Sequence, residues 1–176
     1  MKENFSSRAL KALAVVDRLY ESGIVSNYAL SGGFAALFYT EAVSTRDIDF
    51  IFPIGVGLDR ASELYAVLER KGYSEINSEG YLLIEGWPVH FNPPLSALQL
   101  DLLATARRRK VEGFEVTVAR PEHLAADSVA MSRAEKDYAR LIRLRRYPYF
   151  NEELFEDLLL RFNLREKWET ILPKLT

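Results

Sequence analysis

Tyr28-Ala29-Leu30-Ser31-Gly32-Gly33-Phe34-Ala35-Ala36-Leu37, followed by Thr45-Arg46-Asp47-Ile48-Asp49-Phe50-Ile51-Phe52, is the part of the sequence that decides how the rest is read. Tyr28–Leu30 reads as a short strand, and Ser31-Gly32-Gly33 turns it directly into a helix from Phe34 to about Thr40. Asp47–Phe52 alternates at period two, as a strand with one charged and one apolar face does. Pro53, Gly55 and Gly57 end it. One residue separates Asp47 from Asp49, so both side chains leave the same face. Adjacent carboxylates repel, and a divalent cation offsets that cost, because hard oxygen donors at close range suit magnesium. Taken alone, such a pair also reads as solvated charge on an edge strand. The glycine turn offers backbone N–H groups beside a helix start, where phosphate can bind; alone it reads equally as a tight turn needing positive φ. Together they predict phosphate donors next to metal ligands.

The bulk composition sets the frame. In 176 residues, 48% are hydrophobic and 27% charged, the balance of a globular chain with enough apolar material for one core. No apolar run is long enough to span a bilayer, and the N-terminal residues lack a signal pattern, so the expectation is a cytoplasmic protein with no membrane partner. The absence of cysteine excludes disulfides, thiolate zinc sites and a cysteine nucleophile. Residues 1–100 hold eight Lys/Arg against twelve Asp/Glu, and residues 101–150 hold eleven against seven. An acidic half beside a basic segment suits metal on one side and a polyanion on the other.

Leu10, Leu13, Val16 and Leu19 recur at helical spacing, so a helix precedes the key stretch and stops near Ser22-Gly23. Beyond it, Leu58–Arg70 reads as a helix and Tyr73–Ile76 and Tyr81–Glu85 as strands. Gly86-Trp87-Pro88 turns into a strand at Val89-His90-Phe91. Leu95–Lys110 reads as mostly helical and Phe114–Val118 as a last strand. Pro121 is well placed to start a helix, and the remainder is helical with a break at Pro148. The expected architecture is α+β: a mixed sheet flanked by helices over residues 1–120, with a C-terminal helical cap over 121–176.

The quoted motif resembles the signature of the DNA-polymerase-beta-like nucleotidyltransferase superfamily. Gly86-Trp87-Pro88-Val89-His90-Phe91, Pro121-Glu122-His123-Leu124-Ala125 and Lys136-Asp137-Tyr138 are similar to segments of its minimal bacterial branch related to AbiEii toxins. The resemblance covers roughly Leu10 to Leu144. It implies a nucleotidyltransferase fold and transfer of NMP from a nucleoside triphosphate to an RNA or protein hydroxyl, with an antitoxin protein as a further candidate partner. It also implies that Asp47 and Asp49 hold Mg²⁺ or Mn²⁺, that Ser31, Gly32 and Gly33 cradle phosphates, and that Thr45, Arg46 and Lys136 assist.

The chain departs from that pattern in two places. A third carboxylate is expected at the centre of Val89-His90-Phe91, where this sequence has His90; imidazole is a poor magnesium ligand. Glu85 and Asp101 are the alternative carboxylates, and otherwise His90 is a base or a space-filling polar residue. Near Ser128 the toxin-like relatives often carry a lysine. Two basic clusters, Arg107-Arg108-Arg109-Lys110 and Arg140/Arg143/Arg145/Arg146, suit an RNA backbone or are solvated helix faces paired with local acids. The sequence thus supports an active transferase or, alternatively, a catalytically degenerate relative that binds nucleotide or a protein partner.

Overall fold

The computed structural model describes residues 5–41, 45–53, 59–131 and 135–174. The chain order is α1 (Ser7–Glu21), β1 (Ala29–Ser31), α2 (Gly32–Ala36), β2 (Ile48–Ile51), α3 (Asp59–Arg70), β3 (Leu82–Ile84), β4 (Trp87–Asn92), α4 (Ala97–Thr105), β5 (Arg107–Val111), β6 (Phe114–Val118), α5 (Pro121–Met131), α6 (Glu135–Arg145), α7 (Glu152–Arg161) and α8 (Arg165–Ile171). Gly55 and Gly57, read as ending the second strand, lie outside the described residues.

One six-stranded sheet, in the order β3-β4-β2-β1-β6-β5, forms the centre. It is mixed: β2 runs parallel to β4 and β1 parallel to β6, and the remaining pairs are antiparallel. The period-two pattern of β2 divides its two faces. Ile48 and Phe50 are fully buried on one side, where Phe50 stacks on Phe91 at 5.7 Å and meets Tyr28 edge-on at 5.5 Å. Asp49 and Ile51 face the other side, as the alternation requires. Helix α1 buries Ala9, Leu13, Val16 and Leu19 at helical spacing and packs on β4 and β6.

On the opposite side the central element is α5. Its sequence, Pro121-Glu-His-Leu-Ala-Ala-Asp-Ser-Val-Ala-Met131, lacks a polar stripe, and eight of its eleven residues are buried. A helix closed in on all sides has this composition, and α5 packs against α2, α4, α6, α7 and α8. Its first turn is pinned by polar groups. The buried Glu122 accepts from the backbone N–H of Asn151 at 2.8 Å, and His123 Nε2 lies 2.8 Å from Asp101 Oδ2. Burial pushes the His123 pKa down, with the Asp101 carboxylate acting in the opposite direction.

Two segments differ from the sequence reading. Arg107–Lys110 is not helical; it opens β5, which pairs with β6 through a tight turn at Glu112-Gly113, both at positive φ. Such a two-residue turn fits the twist of a hairpin, and a lysine- and arginine-rich outer strand discourages further pairing. Tyr73–Ile76 forms no named strand; it meets the sheet at a bridge between Ile76 and Leu82 and through the Glu75 carbonyl, which accepts from the Leu83 N–H at 2.8 Å. The turn into β4 falls at Glu85-Gly86, again at positive φ, and Trp87 already belongs to the strand. No described helix is long and apolar enough to cross a membrane.

Candidate active site

Three residues of neighbouring strands lie in register across the sheet: Ser31 of β1 pairs with Asp49 of β2, which pairs with His90 of β4. Directly opposed residues share a face, so this row puts a hydroxyl, a carboxylate and an imidazole side by side. The His90 Nδ1 to Asp49 Oδ1 separation is 3.8 Å, and Asn92 Nδ2 donates to the same oxygen at 3.4 Å. Ser31 Oγ donates to the Asp49 carbonyl at 3.3 Å, tying β1 to β2 at this point. The row faces a cavity of about 440 Å³ whose far wall is made by α4, α5 and α6.

The glycine turn is shaped by the carboxylate. Gly32 has φ +62°, and a Cβ there would sit 2.5 Å from Asp49 Oδ2. Both facts require glycine, one through backbone strain and the other through space. A Cβ on Gly33 would lie 3.0 Å from Thr45 Oγ1 and 3.7 Å from an Arg140 Nη atom. Thr45 Oγ1 is hydrogen-bonded at 3.1 Å to the Asp47 carbonyl and is equally close to Asp47 Oδ1. Thr45 therefore steadies Asp47. Asp47 itself immediately precedes β2, a residue short of the strand the sequence suggested.

Burial raises the Asp49 pKa, the Asp47 charge raises it further, and His90, Arg140 and Asn92 act against them. The Asp47 carboxylate thus sits close enough to oppose the ionisation of Asp49. Across the cavity, Asp127 of α5 is also raised by burial, countered by the hydrogen bond from Gln99 Nε2 at 3.2 Å and by Arg140. Among the described residues no group of three or more His, Asp or Glu side chains is placed to hold a metal ion. Magnesium keeps several waters and takes one or two carboxylates plus substrate phosphates, so Asp47 and Asp49 are the residues that could hold it.

The predicted residues are only partly brought together. Ser31, Gly32, Asp49 and His90 line the cavity. Gly33 and Thr45 stand behind it, Arg46 is exposed, and the Lys136 side chain lies outside the described residues. Neither alternative carboxylate lines the cavity. Glu85 lies in a turn and accepts from the Tyr73 hydroxyl at 2.6 Å, and Asp101 is engaged with His123 and Arg161. Ser128 does line it, with its hydroxyl donating to the Leu124 carbonyl. Sequence reading missed Asn92, Gln99 and Asp127. An aspartate between Ala126 and Ser128, in a helix without a polar stripe, was the available signal for the last of these. Both basic clusters break up: Arg108 binds Asp17, Glu21 and Glu115, Arg145 binds Glu152, and Arg140 turns into the cavity.

No protein-family profile and no curated protein sequence matches the chain. Solved structures do. An antigenic nucleotidyltransferase-like protein from Paracoccidioides brasiliensis superposes with a TM-score of 0.56 at 18% identity, covering 97% of this chain and 94% of that one. The antibiotic-resistance factor ANT(2'')-Ia, in complex with adenylyl-2''-tobramycin, gives 0.55 at 19% identity over 89% and 95%. The lincomycin-bound lincosamide antibiotic adenylyltransferase LnuA gives 0.54 at 18% over 82% and 99%. At such identities the likeness is one of fold, and the fold is that of the nucleotidyltransferases: a mixed six-stranded sheet flanked by helices, with further helices at the C-terminal end.

Proposed function

We propose that this protein is a metal-dependent nucleotidyltransferase that moves NMP from a nucleoside triphosphate to an acceptor hydroxyl. The observation that carries the reading is the Ser31–Asp49–His90 row with Gly32 pressed against Asp49 at the mouth of the cavity. Asp47 and Asp49 would hold Mg²⁺ or Mn²⁺. When bound, the ion neutralises phosphate charge and orients the triphosphate. The chain's own residues do the positioning. Thr45 fixes Asp47, Asn92 holds one oxygen of Asp49, and the bare Gly32 leaves room for its other oxygen. The acceptor oxygen attacks the α-phosphorus in line, its proton passes to His90 or to water, and the bond to pyrophosphate breaks. Such catalysis is mainly positioning and charge stabilisation.

For the acceptor we infer an RNA or protein hydroxyl, in keeping with the AbiEii-like resemblance and with an antitoxin as partner. The ion pairing of Arg108 and Arg145 removes part of the basic surface that spoke for RNA. The tobramycin and lincomycin of the two antibiotic-resistance neighbours make small-molecule hydroxyls a third class to assay. A degenerate protein that binds nucleotide or a protein partner is the second reading. It is favoured by His90 standing across from Asp49, where the resemblance calls for a carboxylate.

The test is transfer of label from each of the four α-labelled NTPs, with Mg²⁺ or Mn²⁺, to RNA, to protein, and to tobramycin and lincomycin. Transfer abolished by Asp47→Ala and by Asp49→Ala supports the enzyme. Metal-dependent nucleotide binding without transfer to any acceptor supports the second reading. Absence of nucleotide binding contradicts the enzyme and leaves of the second reading only a protein partner.

A further inference from the structure

Arg140 stands apart from the arginines around it. Arg108, Arg120, Arg145, Arg161 and Arg165 each lie within ion-pair distance of a carboxylate. Arg140 lines the cavity, and among the described residues it makes no hydrogen bond or ion pair; its Nε is buried without a partner. A guanidinium carries five N–H donors in a planar fork, and buried donors are almost always satisfied. One Nη lies 3.7 Å from the point where a Gly33 side chain would begin. Its charge also acts on Asp49 on one wall and Asp127 on the other, although it bonds to neither.

We infer that Arg140 is the cation that binds the polyphosphate tail of the nucleotide, holding it in the cavity beside Ser31 and Gly32. This rests on the nucleotidyl-transfer reading above. A cavity lined by Asp49, Asp127 and Asp137 repels a polyanion, so a phosphate seat there needs an unpaired positive group, and Arg140 is the residue placed to supply it. Arginine suits the task because its fork meets phosphate oxygens two at a time. The bare Gly33 lets the guanidinium and the Thr45 side chain come close to the turn. The sequence reading looked for this role in Thr45, Arg46 and Lys136. Arg140 joins that set from the same helix as Lys136, so the C-terminal helices contribute to the site as well as covering the core.

Calorimetric titration with magnesium pyrophosphate, and with ATP, CTP, GTP and UTP each with Mg²⁺, tests this on the full chain. Arg140→Ala should weaken pyrophosphate and the preferred nucleotide by about ten- to a hundred-fold, the loss typical of a charge-assisted contact. Arg140→Lys should fall between, keeping the charge and losing the fork. Arg146→Ala, which removes the same charge from an exposed position on the far end of the helical segment, should stay within about twofold. Should Arg140→Ala fail to fold by circular dichroism, Arg140→Lys and Arg140→Gln carry the comparison. Binding by the Arg140 variants equal to wild type would overturn the assignment and leave the proposed function standing. A wild type that binds no nucleotide would overturn the proposed function, and the assignment with it.

Discussion

Replacing Gly32 by alanine should separate the two reasons that this position is glycine. The first is conformational: at φ +62° a Cβ costs about 1–2 kcal/mol. The second is steric. The new Cβ would stand 2.5 Å from Asp49 Oδ2 and 3.3 Å from Asp49 Cγ, whereas its 3.4 Å distance to Asp49 Cβ is ordinary contact. Asp49 cannot turn away freely, because Asn92 holds its other oxygen, and an off-rotamer χ angle costs roughly 0.5–1.5 kcal/mol. The two costs together make about 2–3 kcal/mol, a fall in Tm of about 5–10 °C for a chain of this size. In the Asp49→Ala background both short contacts vanish and only the conformational cost remains. Gly32→Ala should therefore cost about 1 kcal/mol less there than in wild type, a coupling that thermal unfolding of the four proteins measures. Equal costs in the two backgrounds would refute the claim that the turn is fitted to the carboxylate, and a negligible cost in both would refute the strained turn itself.

Three further outcomes follow from the site and its surroundings. Because burial and Asp47 raise the Asp49 pKa, its ionised form opposes folding. The penalty is absent below the ordinary carboxylate value, grows as pH rises through the window up to the raised folded-state value, and is constant above it. With metal chelated, Asp49→Asn should raise Tm at pH 7, and the gain should vanish towards pH 3–4; a gain that does not depend on pH would contradict the assignment. His90→Asp places a carboxylate directly across from Asp49, so manganese should stabilise this variant at concentrations at least about tenfold lower than wild type; an unchanged midpoint would remove position 90 from the metal site. Arg108→Ala deprives the mostly buried Asp17 of its partner at 2.9 Å and removes a guanidinium stacked 4.9 Å over Tyr20, so a loss of about 2 kcal/mol in denaturant unfolding is expected, and a neutral result would mean that these contacts are only superficial.

The features legible in the sequence were those fixed by local rules. The period-two pattern of Ile48–Ile51, the glycines at the end of β1, the helical spacing of α1 and the proline that opens α5 each specify their element within a few residues. The sheet then had only to pair β1 with β2 to bring Ser31 and Asp49 together. Arg107–Lys110 misled because arginine and lysine are good helix formers, while the hairpin depends on Glu112, a non-glycine residue held at positive φ. Asp127 and Arg140 could not be placed beforehand, since their helices meet the site only after packing across the sheet. Nothing in their local spacing distinguishes a residue facing a cavity from one facing solvent. The expectation of a carboxylate on β4 came from resemblance, and the structure fills that place with His90.

Thermal unfolding in the presence of each NTP, with Mg²⁺ or Mn²⁺ and with chelator, on wild type and on Asp47→Ala/Asp49→Ala, tests the central claim most directly. A nucleotide at about a hundred times its dissociation constant adds roughly 2.7 kcal/mol, or about 5–10 °C in Tm. The site described above predicts such a shift with at least one NTP in wild type, dependent on metal and lost in the double variant. No shift with any nucleotide, or a shift that persists without metal and without the two aspartates, would contradict it.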